Sequence, residues 1–211
     1  APEPASTPRS DADKTAPAPE PDVKCVLCGD AAVGKTWLFL RWLNKPVTGD
    51  VEATIGASFA KKSVPAANGT RHTLALWDTA GQERYRSMLA MYARGAAAVL
   101  FLFDITQRAS FYGVESDWLP RIRATAAHMP KCALFLVGTK CDMRDLRTVS
   151  SEEARAFAEA NGMVYREVSA KSEEGVQTLL TDIGTQTAQS GSARCVLRAA
   201  CCYMHACIHI V

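Results

Sequence analysis

Short apolar runs punctuate the middle of this chain and lay out its plan. Ala97 to Phe103 and Cys132 to Val137 are apolar throughout, and Val23 to Cys28 is interrupted only by a lysine. Runs this short without polar alternation predict parallel strands buried on both faces of a sheet. Ser58 to Val64 and Arg71 to Trp77 bracket Asn68-Gly69, the pair that most favours a tight antiparallel hairpin. Met163 to Val168 supplies a sixth strand. Between the strands the pattern turns helical. Trp37 to Leu43 has few polar positions and exits at Pro46, Ala154 to Ala160 follows an S-x-x-E capping box at Ser150 and Glu153, and a last helix runs from about Glu173 to the Thr185 region. Residues 45 to 57 are polar and suit a mobile loop, and Asp78 to Tyr85 form a glycine-containing one. Strands alternating with helices of this length predict an α/β fold. Its sheet is doubly wound, six-stranded and mostly parallel, with one antiparallel edge strand and about five helices.

Composition changes the picture at the ends. Residues 1 to 22 hold six of the ten prolines and almost nothing that could be buried, so a disordered extension is expected there. One domain is expected over 23 to 188, followed by a cysteine-rich tail over 189 to 211. With 48% hydrophobic residues the chain can build one well-buried core, as a monomer. The 24 basic and 22 acidic side chains form no basic block, which argues against nucleic acid as a partner. Eight cysteines stand at 25, 28, 132, 141, 195, 201, 202 and 207, four of them in the last 17 residues, which is not a disulfide framework. Cys25 and Cys28 have CxxC spacing, but three residues of extended chain span about 10 Å, too far for a bridge, so they read as core cysteines. No apolar signal segment stands near residue 1, and the cytoplasm is the expected compartment.

The chemistry begins at Gly29-Asp30-Ala31-Ala32-Val33-Gly34-Lys35-Thr36, between the first strand and the first helix. Backbone N–H groups of such a loop surround phosphates, the lysine reaches the outer ones, and the hydroxyl holds Mg2+. That motif says only nucleotide phosphate. Four further stretches sharpen it: Thr54 in the polar loop, Trp77-Asp78-Thr79-Ala80-Gly81-Gln82-Glu83, Gly138-Thr139-Lys140-Cys141-Asp142, and Ser169-Ala170-Lys171. Each lies at the carboxyl edge of a predicted strand or in a loop leading to one, where open parallel sheets bind ligands. Alone, Asp142 or Gln82 would read as an ordinary surface residue.

Together these stretches resemble a small GTPase of the Ras superfamily, a P-loop NTPase, and within it the Rab family, over residues 23 to about 186. Phe103-Asp104-Ile105-Thr106 with Ser110-Phe111 and Trp118-Leu119 resembles the Rab signature. Thr54-Ile55-Gly56-Ala57-Ser58-Phe59 and Tyr85-Arg86-Ser87-Met88-Leu89-Ala90-Met91-Tyr92 look most like the endosomal branch. The resemblance implies GTP and GDP as ligands, with Mg2+ held by Thr36 and Thr54 and, through a water, by Asp78. It implies that Thr54 and Gly81 sense the γ-phosphate and that Gln82 orients the attacking water. An activating protein would supply an arginine. Asp142 would pair with guanine, the Lys140 stem would cover the ring, and the Ala170 N–H would meet the guanine carbonyl oxygen. Thr139 departs from the Asn usual in Rabs, which touches nucleotide affinity. Ile55, Gly56, Phe59, Trp77 and Tyr92 would form the effector surface, although the aromatic residues also suit a core. Activating protein, exchange factor and trafficking effectors would meet the two switch loops.

The tail fits the family least. Cys207 is fifth from the end and Cys201-Cys202 is followed by nine residues, so no prenylation box is predicted from the sequence as written. Three readings stand: acylation of the tail cysteines giving peripheral attachment to endosomal membranes, which is the expectation, no membrane attachment, or a terminus altered by an alternative reading frame. The apolar segment from Ala199 to Val211 is well below the roughly 20 residues that span a bilayer, and its Cys and His spacing is too tight for a zinc site. The alternative to a GTP-hydrolysing switch is a guanine-nucleotide binding module without hydrolysis.

Overall fold

Strand β1 (Val23–Cys28) feeds the phosphate-loop motif and helix α1 (Lys35–Trp42), and β2 (Ala57–Pro65) and β3 (Arg71–Thr79) follow as an antiparallel pair. A 3₁₀ stretch (Glu83–Met88) leads to α2 (Leu89–Ala93), and β4 (Ala98–Asp104) then enters a long helical rod. The rod consists of α3 (Arg108–Gly113), a π-helical stretch (Val114–Trp118) and α4 (Leu119–Ala124). β5 (Ala133–Thr139), α5 (Ser151–Ala160), β6 (Val164–Val168) and α6 (Val176–Gln189) complete the order. The computed structural model describes residues 22–47, 49, 53–65, 71–125, 129 and 131–189. The Asn68-Gly69 turn, nearly all of the proline-rich extension and the cysteine-rich tail lie outside the described residues.

The six strands form one sheet in the order β2-β3-β1-β4-β5-β6, parallel except for β2 at the edge. Every residue of β4 is buried, because a central parallel strand has helices on both faces. Val99, Phe101 and Phe103 join one core with Leu89, Trp118 and Ala154, while Leu100 and Leu102 join the other with Leu38, Trp42 and Leu179. Each such side chain stabilises the fold by about 1.5–3 kcal/mol. Cys25 and Cys28, an odd number of residues apart, fall on opposite faces and are fully buried thiols. Burial raises both pKa values well above the ordinary thiol range.

Element ends follow local chemistry. Ser150 Oγ accepts the Glu153 N–H at 3.1 Å, but the Glu153 carboxylate turns to Arg108 instead of back to Ser150, so only half of the predicted box forms. The last helix begins at Val176 rather than Glu173, because Glu173 and Gly175 hold φ of +67° and +72°, which no helix accommodates. Among the described residues no helix is long and apolar enough to cross a membrane.

Candidate functional site

The carboxyl edge of the sheet opens into a cleft of about 610 Å³. Ala31, Ala32, Gly34, Lys35, Thr36, Thr54, Gly81, Gln82, Thr139, Lys140, Asp142, Ser169, Ala170 and Lys171 all line it, so five stretches scattered over the sequence meet in one place. Gly29, at φ +144°, turns the chain out of β1 where any Cβ would overlap the Leu102 carbonyl. Ala32 sits at φ +60°, a left-handed strain of about 1–2 kcal/mol that curls the loop around its own N–H groups. No side chain caps α1; Gly34 stands at its N-cap, leaving the first N–H groups for an anion. Lys35 crosses beneath the loop and donates to the carbonyls of Gly29 at 2.9 Å and Asp30 at 2.7 Å. Its burial lowers its pKa, against the pull of Asp78, Cys28 and Asp30.

At the mouth of this cradle three oxygen-bearing side chains converge. Thr36 Oγ1 lies 3.0 Å from Thr54 Oγ1, and Thr54 reaches Asp78 Oδ2 at 3.4 Å. Asp78 Oδ1 is buried with no hydrogen-bond partner among the described residues, and desolvation pushes the carboxyl up to about 6. Two hydroxyls beside a buried carboxylate with an orphaned oxygen fit a hard divalent cation with oxygen ligands, as Mg2+ requires. Gly81 packs so closely over the loop that a Cβ there would overlap the Lys35 ammonium and the Asp30 carbonyl. Gln82 follows it, lining the cleft.

The opposite end of the cleft is built from the ends of β5 and β6. Ser169, fully buried, donates to Asp142 Oδ1 at 2.6 Å and accepts the N–H groups of Lys171 and Ser172 at 3.2 and 3.0 Å. The Asp142 carboxylate is thereby held facing the cleft. Lys140, at φ +60°, runs its stem along the cleft and ends 2.6 Å from Asp104 Oδ2. The other oxygen of Asp104 accepts both the N–H and the hydroxyl of Thr106. Thr139 Oγ1 reaches the carbonyls of Val33 at 2.6 Å and Phe103 at 2.9 Å, tying the loop before α1 to the end of β4.

Several contacts around the cleft join residues of the quoted stretches in ways that no motif describes. Asp30 enters the sequence reading through its backbone, yet its carboxylate accepts from Arg86 and from Trp118 Nε1, both at 2.9 Å. Arg86 also pairs with Asp117 at 3.0 Å and lies over the Trp118 ring. These residues come from three separate elements, and nothing in their spacing signals that they meet. Phe59, Trp77 and Tyr92 form one stack, with ring centroids 5.1 and 6.1 Å apart. Trp77 and Tyr92 are each only 8% exposed and Phe59 is half-buried, whereas Ile55 at 76% and Met91 at 57%, in the same stretches of chain, stand exposed. The Gly56 carbonyl accepts the Ala80 N–H at 2.9 Å.

Comparison with known proteins agrees with this geometry. A profile of the Ras family matches residues 24–189. The chain is 37% identical over 166 residues to the Ras-related protein Rab-31 of Homo sapiens, covering 78% of this chain and 83% of that one. It is 40% identical over 162 residues to the Ras-related protein RABF2a of Arabidopsis thaliana, covering 77% and 79%. A third relative, the Ras-related protein RABA1a of the same plant, is 38% identical over 173 residues, covering 82% and 78%.

Proposed function

The chain belongs to the Ras family, and within it to the Rab small GTPases, and from that premise we propose how its own residues bind GTP, time its hydrolysis and signal the result. It is a GTPase switch of the trafficking class. Lys35 and the N–H groups from Ala31 to Thr36 hold the phosphates, and Asp142 with the Ala170 N–H selects guanine over adenine, because adenine offers neither the donor pair nor the carbonyl. Thr36, Thr54 and Asp78 would hold Mg2+, which when bound neutralises charge on the outer phosphates. Thr54 and Gly81 engage the γ-phosphate through their N–H groups, so their loops loosen once it leaves. Gln82 orients the attacking water, and Ala31 and Ala32, small and exposed beside it, leave room for an arginine from an activating protein.

The observation that carries this reading is the meeting of Thr36, Thr54 and Asp78 at the mouth of the Lys35 cradle, with Gly81 packed against it. In the GTP state the exposed Ile55 and Met91, together with Gly56, Phe59, Trp77 and Tyr92, recruit effectors of vesicular traffic. The switch-loop motifs support placing that traffic at endosomes, with peripheral membrane contact through the cysteine-rich tail. The test is single-turnover phosphate release with a Rab-activating protein present. Gln82→Leu should slow release by about 100-fold or more while GDP affinity stays within about threefold. Equal rates for the two proteins would remove Gln82 from its role. No release from the wild-type protein over many hours would favour a binding module without hydrolysis.

A further inference from the structure

Helix α1 touches both ends of the cleft. Its first turn carries Lys35 and Thr36 at the phosphate end, and its last turn carries Arg41 and Trp42, which reach the loop between β6 and α6. Arg41 Nε donates to the Ala170 carbonyl at 2.7 Å, a second guanidinium nitrogen reaches the Lys171 carbonyl at 3.5 Å, and the third lies 2.9 Å from the Glu173 carboxylate. Trp42, fully buried, donates its indole N–H to the Val176 carbonyl at 3.3 Å. The loop between these anchors doubles back through the left-handed residues Glu173 and Gly175, which brings its carbonyls and the Glu173 carboxylate to one guanidinium. Its inner side is tied to Asp142 through Ser169.

We propose that Arg41 is a positioning residue for recognition of the purine 6-oxo group. Only two soft torsions separate the Ala170 carbonyl from the Ala170 N–H. A guanidinium that pins this carbonyl and the next one restricts where the N–H faces. The fork geometry matters, because three acceptors in different directions are matched by a planar guanidinium and not by one ammonium. A single rigid helix then fixes the spacing between the phosphate cradle and the base reader, so a nucleotide must fit both ends together. This inference rests on the guanine reading of the site.

The test compares dissociation of GDP with that of 2-aminopurine riboside 5′-diphosphate, which keeps the 2-amino group and lacks both the 6-oxo group and the N1–H that accompanies it. The wild-type protein should release GDP more slowly than the analogue. Arg41→Gln should speed GDP release about tenfold, the loss of charge-assisted bonds at a partly exposed site, and leave analogue release within about twofold. Arg41→Lys should fall between, and it keeps the comparison available should the Gln variant fold poorly. Equal acceleration of both nucleotides would make Arg41 a mere brace of α1 and overturn the proposal, as would unchanged GDP release. Wild-type protein that releases both nucleotides at one rate would strike the guanine reading itself, and this inference with it, before any variant is made.

Discussion

A hydroxyl carries one proton, and Thr139 Oγ1 has two carbonyls within reach, Val33 on the phosphate loop and Phe103 on β4. It can donate to only one of them at a time, where the amide of an Asn offers two donors. Thr139→Val keeps the shape and removes the donor, taking one hydrogen bond from these buried carbonyls at a cost of about 1–3 kcal/mol. Urea unfolding should show that loss, and GDP release should quicken about tenfold, since the tether joins the phosphate end to the base end. Individual residues were legible in proportion to how much of their job is local. Lys35 and Thr36 act where the loop puts them, and their spacing announces it. The pairing of Asp104 with Lys140 is announced by no spacing, because it exists only where β4 lies beside β5.

Among the elements, α5 shows how far local rules reach. Ser150 caps the helix as its sequence context predicts, so Ser150→Ala should cost about 1 kcal/mol, read as a lowered melting temperature with nucleotide affinity unchanged. The reciprocal arm is missing because Glu153 finds Arg108 on a neighbouring helix, and a tertiary charge outcompetes a local N–H. The rod after β4 departs further from local reading. Pro120 has no N–H to give the preceding turn, and the helix widens to a π stretch just before it. That stretch brings Asp117 and Trp118 to the Asp30 and Arg86 pair, so the rod also braces the loop after β3.

For the molecule as a whole, Glu167 on β6 joins three parts of the fold. It pairs with Arg147 at 2.7 Å and accepts the hydroxyls of Tyr165 and Ser151. Burial works against its ionisation, but the bonds from Arg147, Tyr165 and Ser151 prevail and hold the carboxyl at about 2. A folded pKa below the ordinary carboxyl value of 4.5 contributes stability that is fully present above that value and lost as pH falls from 4.5 towards 2. Unfolding free energy should fall by roughly 2–3 kcal/mol across that window. Arg147→Ala should destabilise the protein by about 2 kcal/mol near neutral pH and flatten the acid limb, which urea titrations at several pH values would record. The six strands, their mostly parallel order and the carboxyl-edge site were readable in advance, because apolar runs and glycine-rich turns encode conformation within a few residues. The stretches that gather along the cleft were readable too, because each motif is a short stretch whose neighbours along the chain shape it. What no local pattern could carry was the set of ties between stretches: Arg41 to the Ala170 loop, Thr139 to Val33, Arg86 to Asp30, Arg147 to Glu167. A charged or hydroxylated side chain chooses its partner by distance in space, and that distance exists only once the sheet and its helices have packed.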